Sequence, residues 1–181
     1  MTLSIDTPRL QIVSFTQAHV SHPNYIEWLT DRDNLISLNL IDYLITPVTQ
    51  DGLVRYFESF QSSVSNHLFA IHLVENDAFI GTAALREIGY GGLFDLGILI
   101  GNKALRGKGM AREAIKYLVR YAFDELNARK MCSSFADTNI PVLLAFLKNG
   151  FKIEGLQRDH QMSLDETISN RYIVGCLSTD I

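Results

Sequence analysis

The residues whose types and spacing could do chemistry lie in one short run, Arg106-Gly107-Lys108-Gly109-Met110-Ala111. Two glycines two apart let a backbone turn sharply and aim unpaired N–H groups at one point. From Ala111 the apolar residues Ala114, Ile115, Leu118, Val119, Ala122 and Leu126 recur at helical spacing, with Arg112, Glu113, Lys116, Arg120, Asp124 and Glu125 on the other side. A glycine turn at a helix N-terminus, where the dipole is positive, is an anion site. Two phosphate loops are excluded by residue type. A P-loop needs Lys followed by Ser or Thr after its second glycine, where Met110 and Ala111 stand, and a dinucleotide loop needs a third glycine, where Arg112 stands.

The elements that must position this loop follow from the pattern on either side. Leu96 to Ile100 is apolar apart from Gly97 and reads as a buried strand entering the loop. Thr7 to Phe15 reads as a first strand whose start Pro8 delays. Asn24 to Asp31 reads as a short amphipathic helix, residues 31–48 as a loop, and Asp51 to Phe60 as a helix. Strands are expected over Leu68 to Val74 and Phe79 to Arg86, with turns at 75–77 and 89–92. After the long helix come a strand over Lys130 to Ala136, a helix over Asn139 to Lys148 with Pro141 in its first turn, and a strand from Phe151 to Met162. A turn at 164–167 and a last strand over Ile168 to Leu177 complete the chain.

Composition bounds the class. The chain has 181 residues, one domain's length, and 47% apolar residues, enough for a core. Its longest apolar runs are far shorter than a membrane span, and Met-Thr-Leu-Ser-Ile-Asp lacks the order of a signal peptide, so no membrane and a cytoplasmic location are expected. A net charge of −4 argues against nucleic acid as partner. Cys132 and Cys176 lack metal or redox spacing, and His19, His22, His67 and His72 lack partners at ligand spacing, so no metal is expected.

The pattern Arg106-x-x-Gly109-x-Ala111, following a strand and opening a helix, resembles the pyrophosphate signature of the GNAT superfamily of N-acetyltransferases. Asn149-Gly-Phe-Lys-Ile-Glu-Gly155 is similar to the segment in which the family closes its next helix. Thr7-Pro-Arg-Leu10, Trp28-Leu-Thr-Asp31 and the stretch around Arg158 and His160 are similar to the branch of ribosomal-protein N-terminal and aminosugar-nucleotide acetyltransferases, so that the likeness covers most of residues 7–177.

The resemblance implies a mixed α+β (α/β) GNAT fold, with a mostly antiparallel sheet of six to seven strands flanked by helices and splayed between its central strands. It implies acetyl-CoA as cosubstrate, held by Leu99, Ile100, Gly101, Arg106, Gly107, Lys108, Gly109, Met110, Ala111, Asn139 and Phe146, and it admits a homodimer. The acceptor implied is a primary amine of a small molecule such as an aminosugar nucleotide or polyamine, with a peptide N-terminus as the alternative. Trp28 reads more readily as a residue packed on the sheet.

Acetyl transfer to an amine needs a base, donors for the charge gathering on the thioester oxygen, and a proton for the leaving thiolate. Asp95 and His160 are the candidate bases, ahead of Glu87. Where many relatives carry a tyrosine acid this chain has Phe146, and where they carry a serine it has Val142, neither of which donates a proton. A non-catalytic acyl-CoA-binding module is therefore the rival from another class.

Overall fold

A computed structural model describes residues 3–37, 46, 48–162 and 167–181. Its strands are β1 (Ser4–Asp6), β2 (Leu10–Ser14), β3 (His67–Leu73), β4 (Phe79–Glu87), β5 (Leu93–Ile100), β6 (Lys130–Ala136), β7 (Lys152–Met162) and β8 (Ile168–Cys176). Its helices are α1 (Gln17–Val20), α2 (Pro23–Thr30), α3 (Arg32–Ser37), α4 (Gln50–Gln61), α5 (Met110–Asp124) and α6 (Ile140–Leu147). The strands form one sheet in the order β1-β2-β3-β4-β5-β6-β8-β7. Every pairing is antiparallel except that of β5 with β6, as a strand–helix–strand crossover through α5 requires.

The sheet therefore has eight strands, not six or seven. The difference lies at the N-terminus, where Pro8 does not block an earlier strand: Ser4–Asp6, upstream of the expected first strand, pairs back on Gln11–Val13. A second difference is α3, in a stretch read from its sequence as a loop: Asn34 N–H is held by Asp31 Oδ1 (3.0 Å), which starts a helical turn that the weak apolar pattern hides. The remainder of that expected loop, 38–45 and 47, and the turn at 164–166 lie outside the described residues. Among the described residues no helix is long and apolar enough to cross a membrane.

Two cores sandwich the sheet. Ala114, Ile115, Leu118, Val119 and Ala122 of α5 are buried with Phe146 of α6 against one face, beside Leu10, Phe69, Ile71 and Leu96. On the other face Tyr25, Trp28 and Leu29 of α2 and Leu53 and Phe60 of α4 pack on Leu68, Ala70, Phe79 and Leu99. Both thiols are free, and burial pushes each up to about 11.

Candidate active site

The glycine loop does what its residue types predict. Gly107 and Gly109 have φ of +73° and +82°, a region that only glycine enters cheaply, and Gly109 is the N-cap of α5. The first bond closing the helix runs from Glu113 N–H to the Gly109 carbonyl (3.0 Å), leaving the N–H groups of Met110, Ala111 and Arg112 without intrahelical partners.

Three distant segments brace this loop. Glu113, in the first turn of α5, accepts from Thr7 Oγ1 (2.7 Å), Arg9 N–H (2.9 Å) and Arg9 Nε (2.6 Å), while Arg9 Nη1 donates to the Lys108 carbonyl (3.0 Å). Burial pushes the Glu113 carboxyl up, but the bonds from Thr7 and Arg9 outweigh it and hold the group below the ordinary glutamate value. On the other side, Trp28 lies so close to Gly101 that a Cβ there would meet its ring at 1.9 Å. Lys103 Nζ bridges Asp31 (2.7 Å) and Asp33 (3.0 Å), and Arg106 Nη2 donates to buried Asn34. From behind, Asn149 Nδ2 donates to the carbonyls of Arg112 (2.9 Å) and Ala145 (2.8 Å), tying α6 to the start of α5. The Arg106 side chain is thus engaged as a strut, and the backbone of 107–112 is what faces outward.

Between β5 and β6 the sheet opens. Their parallel register runs only through Leu93↔Lys130, Phe94↔Met131 and Asp95↔Cys132. At the next step Ser133 Oγ donates to the Leu96 carbonyl (2.9 Å), and beyond it β6 follows β8 while β5 stays on β4. The phase of the β4–β5 ladder decides which backbone groups face the gap. Ile88 N–H bonds the Leu93 carbonyl (2.7 Å) and Gly101 N–H the Ile80 carbonyl (2.9 Å), so the odd-numbered residues of β5 turn toward β4. The N–H and C=O of Ile98 and Ile100 therefore point into the opening. Of the three strand residues expected to hold acetyl-CoA, Ile100 faces the gap, whereas Leu99 and Gly101 direct their N–H groups to β4. Ile98 joins Ile100, and no sequence signal marks it, because the phase depends on the partner strand.

On the α2–α4 face, a cavity of about 200 Å³ borders this opening, lined by Tyr25, Tyr56, Thr82, Arg86, Gly97 and Leu99 among others. Asp95 stands at its edge, opposite Arg86 in the β4–β5 register and 4.0 Å from Arg86 Nη1. Burial raises the Asp95 carboxyl above its ordinary value, while Arg86 and Arg171 pull it back. On the outer side of α5, a groove of about 600 Å³ carries Arg9, Arg112, Lys116, Arg120 and Lys148 against Glu113 and Asp180.

The other sequence candidates scatter. His160 is exposed where the β7–β8 register slips between Gln157 and Gln161, and it does not line the cavity. Glu87 accepts from Gly92 N–H (3.2 Å) and supports the 89–92 turn. Asn139 is the N-cap of α6, at the end of β6 where the two strands have parted. Phe146 is fully buried between Phe135 (ring centroids 5.4 Å) and Phe151 (4.8 Å).

Residues 9–152 match the family model described as an acetyltransferase (GNAT) domain. The chain is 30% identical over 119 residues to a probable N-acetyltransferase YjcK of Bacillus subtilis (strain 168), covering 65% of each protein. It is 32% identical over 94 residues to an uncharacterized N-acetyltransferase p20 of Bacillus licheniformis, covering 51% of this chain and 52% of that one. The matched stretches thus span about half to two thirds of these curated relatives. Among solved structures, the fold is similar to a spermidine N-acetyltransferase from Vibrio cholerae in complex with CoA and spermine (TM-score 0.82, 18% identity, 96% of this chain and 98% of that one). It is also similar to a GNAT-family acetyltransferase from Bacillus anthracis (TM-score 0.79, 18% identity, 97% and 98%). Glycine loop, parted strands and a family match over most of its length agree: the chain belongs to the GNAT acetyltransferase family.

Proposed function

We propose that this protein is an acetyl-CoA-dependent N-acetyltransferase acting on a primary amine of a small molecule. The observation that carries the reading is the opening after Asp95 and Cys132, which leaves the backbone of Ile98 and Ile100 unpaired by β6 between an anion-binding loop and a cavity.

In this reading the diphosphate of acetyl-CoA lies on the N–H groups of 107–112, with the cations of the α5 groove near its phosphates. The pantetheine arm enters the gap as a surrogate strand beside Ile98 and Ile100, with Asn139 at its other wall. Transfer is attack of the neutral amine nitrogen on the thioester carbon, forming the C–N bond and breaking the C–S bond. The amine proton leaves to a base, and the thiolate takes up a proton.

An alkylammonium near pKa 10 costs roughly 4 kcal/mol to deprotonate at pH 7, so a base matters. Asp95 is the base in this reading, through a water at the cavity edge, because burial brings its carboxyl closer to the proton it must accept. The N–H groups of Ile98 and Ile100 stabilise the charge gathering on the thioester oxygen. Phe146 packs in the core and offers no proton, so water protonates the thiolate, a tolerable leaving group with a pKa near that of cysteine, about 8.5.

The test pairs binding with turnover. Acetyl-CoA titrated calorimetrically should bind, and Gly109→Val, which forces a β-branched residue to φ of +82°, should weaken binding at least tenfold. Thiol release from acetyl-CoA should depend on an added amine. Binding unaffected by Gly109→Val would reject the loop assignment, and binding without release against any amine would favour the acyl-CoA-binding module. A polyamine acceptor has its own support in the spermine complex of the Vibrio neighbour.

A further inference from the structure

The chemistry of the acceptor is written in the charges of the cavity beside the opened strands. A site for a polycationic amine is expected to supply carboxylates along its wall. Among the described lining residues Arg86 alone carries a charge, and the other polar groups are the hydroxyls of Tyr25, Tyr56 and Thr82. The nearest carboxylate, Asp95, is already flanked by Arg86 at 4.0 Å and pulled on by Arg171 from across the gap. Among the described residues, two guanidiniums to one carboxylate leave this face net positive. Lys130 and Glu154 nearby neutralise each other at 2.6 Å.

Arg86 is held for recognition. Its guanidinium lies over the rings of Phe60 (5.2 Å) and Tyr56 (5.7 Å), and Nη2 donates to Tyr56 Oη (2.6 Å). Nη1 hangs over Gly97, 3.7 Å from where a side chain would begin, so the absence of a Cβ keeps its outward edge open to the cavity. Asp95, at 4.0 Å, is the ionic partner of Nη1 among the described residues, at the outer limit of an ion pair, so the guanidinium keeps donor capacity toward the cavity. Arg171, on β8 beyond the opening, adds a second charge, its Nη2 on Ser134 Oγ (2.5 Å) and its buried Nε without a hydrogen-bond acceptor.

From these features we infer that the acceptor is a compact amine bearing an anionic oxygen group, carboxylate or phosphate, which docks on the cavity-facing edge of Arg86 while the amine faces the backbone of Ile98. The inference rests on the N-acetyltransferase reading. Arg86 Nη1 lies 3.7 Å from the Cβ position of Gly97, the residue next to Ile98, so the amine and anion are separated by a few bonds, as in an amino acid. A cavity of about 200 Å³ suits that size and is smaller than the roughly 300–1,000 Å³ typical for drug-sized ligands.

The experiment compares matched acceptors: an amino acid, its carboxamide, an aminoalkyl phosphate of similar length, and spermidine. Acetyl-CoA-dependent thiol release is measured for the wild type, R86Q and R86K. The wild type should prefer the carboxylate, the phosphate or both over the carboxamide by at least tenfold in kcat/KM, and the favoured anion identifies which oxygen group the site reads. R86Q should reduce that preference to less than threefold, R86K should keep part of it, and the Kd for acetyl-CoA should stay unchanged in both. Spermidine or the carboxamide turned over as well as the anionic acceptors would overturn the inference while leaving the acetyltransferase reading intact. If no amine promotes release, catalysis fails as a reading, and calorimetric binding in the presence of acetyl-CoA then decides the anion question. Binding of an anionic acceptor and not the carboxamide supports it; equal or absent binding of both refutes it.

Discussion

Replacing Glu113 by glutamine tests whether the N-terminal segment holds the cofactor loop. The native carboxylate takes three donors, at 2.6, 2.7 and 2.9 Å, and its side chain is 12% exposed. A glutamine of equal size keeps one acceptor oxygen and turns an N–H₂ group toward donors of Arg9 or Thr7. A hydrogen bond to a charged group is worth about 1.5–3 kcal/mol, and the 45% exposure of Arg9 screens its share toward the surface value. The net loss is about 1–2 kcal/mol, which for a domain of this length lowers Tm by roughly 2–8 °C. Because Arg9 also fixes the Lys108 carbonyl, acetyl-CoA affinity should fall by roughly three- to tenfold. The pH dependence follows from the sign of the shift. Glu113 is lowered in the folded protein, so its stabilisation is complete above the unfolded value, about 4.5, and is lost as pH falls through the folded one. Thermal unfolding at pH 7 should separate wild type from E113Q, and the gap should narrow as pH falls below about 4.5. Equal Tm at pH 7, or a gap that does not narrow on acidification, refutes the brace.

Asp95→Asn should lower kcat at least tenfold and remove the acid limb of the kcat/KM profile. In the wild type that limb, where rate falls as the base takes up its proton, should lie above the ordinary aspartate range because burial raises Asp95; an unaltered profile takes Asp95 out of the mechanism. Gly101→Ala brings a methyl to 1.9–2.5 Å from three ring atoms of Trp28, which is 6% exposed, and should cost about 3 kcal/mol in urea unfolding. Unchanged stability would mean that Trp28 has room to withdraw. His19 is pulled down to about 4, first by burial and then by His72, whose Nε2 lies 3.1 Å from its own. The unfolded imidazole binds a proton below about 6.5 and the folded one does not, so stability should fall between pH 6.5 and 4 and level off below. The ring is half exposed, so the change is of order 1 kcal/mol after screening, and His19→Gln should flatten the slope.

Much of the fold was legible because its signals are local. The helical repeat from Ala114 to Ala122, the strand from Lys130 to Ala136 and the glycine turns report steric and burial preferences that hold wherever the segment sits. The stretch after Asp31 was not, because α3 owes its first turn to a side-chain bond from Asp31 rather than to an apolar stripe. The same division runs through the site. Arg106, Gly109 and Ala111 resemble a pyrophosphate signature by their order alone, and Phe146 stands where that resemblance implies a tyrosine.

The sequence by itself determined the loop, the helix that it opens and the family likeness, since each depends on residues within a few positions of one another. Tertiary structure decided what the distant motifs do. Thr7 and Arg9 meet Glu113, Trp28 and Asp31 meet Gly101 and Lys103, and Asn149 meets Arg112, so segments that resemble separate family and branch signatures brace the glycine loop. It also decided that Ile98 and Ile100 face the gap and that Arg86 overlooks the cavity. Both are matters of strand register, and register is set by the partner strand across the sheet, which no run of adjacent residues encodes.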